Sequence, residues 1–195
     1  MGERERAFEQ SENRNLITML RVRMAMFQSV RDGAPTVLVP AAWVAAAGAH
    51  AELLSTDGLL IAHIVMAAFI ALFVLTGWRS MDTGALRAWR VVLVAGFFLT
   101  VSGIAGFYLT EFETPLLAIS LLGWMLLPAV GLAATGDALI QTGFHPVYHG
   151  GAGLSVIGAG LYVAGLAIGF DPLLFVGMAF VGIGQTAGIV AASRR

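Results

Sequence analysis

The chain has no cysteine, which removes disulfides, thiolate metal sites, iron–sulfur clusters and cysteine nucleophiles from consideration. Lysine is absent too, so all 11 basic residues are arginine. Charge of either sign is scarce, at 12% of residues where a soluble domain carries about a quarter. No Asp, Glu, Arg or His falls near the centre of any long apolar run. Ion-coupled transporters commonly place ionisable groups at that depth and voltage sensors need arginines there. A P-loop, a GxSxG elbow, a GxGxxG turn and a nucleic-acid-binding face are also missing.

What remains is apolar length. The chain of 195 residues is 58% hydrophobic, with a mean hydropathy of +0.83. A helix rises about 1.5 Å per residue, so about 20 apolar residues cross a hydrocarbon core of about 30 Å. Six segments meet that length: 35–54, 59–78, 91–110, 116–135, 151–169 and 173–192. The expected fold is all-α, a polytopic bundle of six transmembrane helices arranged as three consecutive hairpins. Residues 35–195 form this domain and residues 1–34 precede it.

Charge placement gives the orientation. Arg4, Arg6, Arg14, Arg21, Arg23 and Arg31 come before the first segment, Arg79, Arg87 and Arg90 between the second and third, and Arg194 and Arg195 after the last. The opposite turns carry acids alone: Glu52, Asp57, Glu111, Glu113 and Asp171. By the positive-inside rule the protein sits in the cell membrane with both termini cytoplasmic. Residues 1–34 lack the apolar core and cleavage site of a signal peptide. From Asn15 to Asp32, Leu16, Leu20, Met24 and Phe27 are interleaved with Arg21, Arg23 and Arg31. That pattern suits a basic amphipathic helix on an anionic leaflet.

The turns repeat. Asp57-Gly58-Leu59-Leu60, Thr114-Pro115-Leu116-Leu117 and Asp171-Pro172-Leu173-Leu174 recur at intervals of 57 residues. Fixed-period similarity of this kind marks repeat architecture. At the same offset Gly96 and Gly103 map onto Gly153 and Gly160, and a second ladder runs through Gly151, Gly158 and Gly165. Helices in lipid associate where small residues let backbones approach, so the third, fifth and sixth segments should make the tight centre. Trp43, Trp78, Trp89, Tyr108 and Tyr148 read as interfacial anchors.

Two histidine pairs are candidate cofactor ligands. His50 and His63 flank the first turn, beside Glu52, and imidazole with carboxylate suits zinc, copper, iron or nickel. The ordinary alternative for each is a hydrogen bond to a carbonyl or to water. His145 and His149 stand four apart, on one helical face, with Asp137 near in sequence. Here Pro146 marks a helix start, and its neighbour His145 also reads as a cap-region residue. Of the polar residues in mid-span, Ser120 and Gln185 could line a path. They could equally make interhelical hydrogen bonds, Gln185 to a carbonyl that Pro128 frees.

These residues favour a multi-pass, non-enzymatic membrane protein: a small permease, or an accessory subunit of a membrane complex. The alternative is a cytochrome-b-like electron-transfer subunit holding haem or a transition metal, although no cofactor is required. The expected partners are the lipid bilayer and another membrane protein or a second copy, not nucleic acid.

Overall fold

The computed structural model describes residues 17–20, 33–143 and 145–194. The chain divides into two compact units, Met1–Pro35 and Thr36–Arg195. In the first, residues 17–20 are helical and exposed. The rest of the basic segment at 15–32 lies outside the described residues.

Everything else described is helix joined by short turns, without a strand among the described residues. We label the helical residues 33–50 α1, followed by α2 (Thr56–Gly77), α3 (Gly84–Tyr108), α4 (Glu113–Ala138), α5 (His145–Ile168) and α6 (Asp171–Ser193). Among the described residues five helices, α2 to α6, are long and apolar enough to cross a membrane. Most begin before the apolar run does. Helix α3 starts at Gly84 and carries Arg87 and Arg90 in its first turns, because helical hydrogen bonding does not stop where hydropathy falls.

The three repeated pairs each open an even-numbered helix: Asp57 in the first turn of α2, Thr114 in that of α4 and Asp171 at the start of α6. The preceding helices end differently. After α1, the amide of Leu53 donates to Gly48 O (2.8 Å) and that of Glu52 to Ala49 O (3.1 Å). This is a Schellman cap with Glu52, at φ 56°, in the left-handed position that usually holds glycine. Helix α5 closes in the same way with Gly169 at φ 66° and Phe170 N–H donating to Gly165 O (3.0 Å). Helix α3 runs instead into a short 3-10 turn, Thr110–Phe112.

Packing is densest between α5 and α6, then between α3 and α4. The main core joins Trp43 of α1, Met125 of α4, Ala159 and Tyr162 of α5, and Leu174, Met178 and Val181 of α6. The tight centre therefore consists of α1, α4, α5 and α6. Helix α3, expected there, packs on α2 and α4 instead. The reason lies in where its glycines face. Gly96 receives the Trp124 indole, and Gly103 receives His63 and Ser120, so both accommodate side chains and not a neighbouring backbone. Their counterparts Gly153 and Gly160 face open space. The second ladder makes the close contact: a Cβ on Gly151 would lie 2.5 Å from Gly184 O, and one on Gly158 2.5 Å from Gly177 O.

Candidate functional site

Gln185 lies in the middle of α6, 4% exposed, with every polar atom of its amide engaged. Trp43 Nε1 donates to its Oε1 at 3.0 Å. Its Nε2 donates to Trp124 O at 3.0 Å and approaches Met125 O at 3.5 Å. Trp124 is four residues before Pro128, so its carbonyl is the one that the missing proline N–H leaves without a helical partner. A freed carbonyl in an apolar interior costs free energy unless something donates to it, and Gln185 does so from the neighbouring helix. One side chain thereby ties α1 and α4 to α6.

Two further tryptophans repeat this design. Trp124 of α4 lies against Gly96 of α3, and its Nε1 donates to Thr100 Oγ1 (3.0 Å), which donates to Gly96 O (2.9 Å). Reciprocally, Trp89 of α3 lies against Gly131 of α4. Its Nε1 donates to Thr135 Oγ1 (2.9 Å), which donates to Gly131 O (2.8 Å). In both, a glycine makes room for the indole and a threonine four residues on receives its N–H. Trp43 follows a variant, with Gly182 beneath it and Gln185 three residues on. Three of the four tryptophans are thus internal fasteners. Trp43 and Tyr148 are buried and not interfacial anchors, whereas Trp78 and Tyr108 are exposed. The GxxxT spacings Gly96–Thr100 and Gly131–Thr135 were present in the sequence as a signal for these seats.

The first histidine pair is divided between two environments. His50 Nδ1 donates to Ala46 O (2.9 Å), and since a carbonyl only accepts, Nδ1 carries the proton. Its Nε2 accepts from the Tyr162 hydroxyl at 2.7 Å, with the rings edge to face at 5.5 Å. Sequence reasoning did not find this tyrosine, which is 112 residues away. His63 also anchors Nδ1 on its own helix, at Leu59 O (2.8 Å). It packs its ring edge on Phe107 of α3. A Cβ on Gly103 would lie 2.8 Å from His63 Nε2 and 2.9 Å from Ser120 Oγ. The structure thus brings His63 and Ser120 together over one glycine, and Ser120 is buried. Glu52 is exposed, and its backbone serves the α1 cap.

The second pair lies where α4 hands over to α5. His149 Nε2 donates to Asp137 Oδ1 at 2.9 Å. The His149 ring rests on Gly136, where a Cβ would meet its Nε2 at 2.7 Å and Cδ2 at 2.8 Å. His145 and His149 have ring centres 5.9 Å apart. Among the described residues His145 Nδ1 is buried without a hydrogen-bond partner, as is Thr186 Oγ1 in α6. Among the described residues no three His, Asp or Glu side chains converge as a group that could hold an ion. An apolar groove of about 710 Å³ runs between α3 and α4, lined by Phe98, Leu99, Gly123 and Leu127 among others.

No protein-family model matches this chain, and neither the curated proteins nor the solved structures contain a significant match to it.

Proposed function

We propose that this chain is a six-span integral membrane protein with both termini cytoplasmic, acting as a non-catalytic subunit of a larger membrane assembly. The apolar length of α2 to α6 supports membrane residence, as do the outward apolar side chains such as Ile61, Phe98 and Val130. In this reading α1 is the sixth span, and residues 1–34 lie on the cytoplasmic leaflet. The shared start of the even-numbered helices is what a triplicated hairpin would leave behind, while the outward turn of Gly160 marks divergence from it.

The observation that favours a subunit over a permease is the engagement of Gln185. The most polar group at mid-depth is bonded to both neighbouring helices, α1 and α4, and the core around it is filled by Met125 and Val181, each 0% exposed. Such a centre resists relative movement of its helices. Extraction of the native membrane in mild detergent should yield this 20.5 kDa chain in a larger, stoichiometric complex. Recovery of an isolated chain whose proteoliposomes pass a neutral solute, with flux abolished by Gln185→Ala or Ser120→Ala, would overturn the proposal in favour of a permease.

One observation favours the haem- or metal-binding reading at the first pair. Both His50 and His63 anchor Nδ1 on a carbonyl, the arrangement that orients ligating imidazoles. His50 Nε2 would have to exchange the Tyr162 hydroxyl for the ligand. A Soret band that disappears in His63→Ala would support this reading, and a preparation with no Soret band and no stoichiometric zinc, copper or iron would end it.

A further inference from the structure

We propose that His145 and His149 form a two-imidazole site for a divalent transition-metal cation, with Asp137 as its positioning residue. Three observations converge at the start of α5. First, the rings stand four residues apart on one helical face, with their centres 5.9 Å apart. Two imidazoles sharing one tetrahedral ion at a metal–nitrogen distance of about 2.0–2.1 Å hold their ring centres about 5 Å apart.

Second, His149 is already oriented. The Asp137 carboxylate accepts a hydrogen bond from Nε2–H at 2.9 Å, which leaves Nδ1 as the nitrogen with a lone pair. Gly136 lets the ring lie flat on α4, because any Cβ there would strike it. Carboxylate, imidazole and metal in that order is a common support for a ligating histidine, fixing both the tautomer and the plane. Asp137 acts through His149 in this arrangement and is not itself a third ligand, consistent with the lack of any three-residue group among the described residues.

Third, His145 keeps a buried ring nitrogen without a hydrogen-bond partner among the described residues. Buried polar atoms are nearly always paired, so an unpaired one asks for an explanation. A cation shared with His149 supplies one. Two neutral nitrogens, with water completing the sphere, suit copper(II), nickel or zinc and not magnesium or calcium, which prefer oxygen.

The test is copper(II) titration of the purified full chain in detergent, read by electron paramagnetic resonance. One saturable equivalent with two equatorial imidazole nitrogens is expected, and zinc should compete for it. His145→Gln and His149→Gln should each reduce the signature to one nitrogen and weaken binding at least about tenfold. Asp137→Asn should keep two nitrogens yet weaken binding about tenfold, with recovery in Asp137→Glu; a role confined to folding would not produce that split. Helical circular dichroism verifies that each variant folds. Binding unchanged in both His145→Gln and His149→Gln, a spectrum lost instead in His63→Ala, or no saturable equivalent would overturn the proposal.

Discussion

Helices α5 and α6 and helices α3 and α4 are both antiparallel pairs rich in glycine, yet they are joined by different means. In α5–α6 the glycines oppose glycines, and the two backbones meet at Gly151/Gly184 and Gly158/Gly177 with 2.5 Å between an added Cβ and the facing carbonyl. In α3–α4 Gly96 and Gly131 each oppose an indole, and the pair is fastened by Trp124–Thr100 and Trp89–Thr135. The first pair depends on the absence of atoms and the second on the presence of particular ones. Lipid tails are as apolar as leucine, so close packing and interhelical hydrogen bonds are the two means available. This molecule assigns one to each pair.

The comparison can be broken most easily at α5–α6. Gly158→Ala should destabilise the fold by about 2–3 kcal/mol, since the Cβ would strike backbone that cannot rotate away. Gly153→Ala on the same helix points into open space and should be neutral or more stable by up to about 1 kcal/mol. Thermal unfolding in detergent, followed by circular dichroism, separates the two outcomes; equal effects would refute the assignment of faces.

Gln185→Leu comes next. It leaves the Trp43 N–H and the Trp124 carbonyl without partners, a loss of about 1–3 kcal/mol. Pro128→Ala restores an N–H able to reach Trp124 O, so the Gln185→Leu cost should be smaller in that background. A double-mutant cycle with no coupling would show that the proline carbonyl is not what Gln185 serves.

At α3–α4 the effects should be graded. Thr100→Val and Trp124→Phe should each lose about 0.6–1.7 kcal/mol, and the double variant about as much as either alone, because both delete one bond. Full additivity would dissolve the pairing. The smallest effect is expected at the α1 cap. Glu52→Gly should raise stability by about 1 kcal/mol by relieving a left-handed residue with a side chain; unchanged or lower stability would mean the glutamate side chain holds the turn.

Much of the fold was legible because its determinants are local. Apolar length placed α2 to α6, and turn residues such as Asp171-Pro172 marked where helices open. The pairing of Gln185 with a carbonyl freed by Pro128 was legible as well, since proline chemistry names the residue four before it. Tyr162 as the partner of His50 was not, because 112 residues intervene and a tyrosine in an apolar run carries no address. The ladder of Gly153 and Gly160 misled for a related reason. Spacing identifies a row of glycines without saying whether a helix or the surroundings lie against it.

By itself the sequence determined that the chain is helical and apolar along α2 to α6, where those helices turn and which ends carry arginine. Each of these follows from the chemistry of a short stretch of chain. The tertiary structure alone decided which face of each helix is internal, which glycines admit a backbone and which an indole, and which partner each histidine takes. In a soluble helix, amphipathic periodicity announces the inner face. Here both faces are apolar, so that signal is flat, and only the fit of particular atoms across helices distinguishes inside from outside.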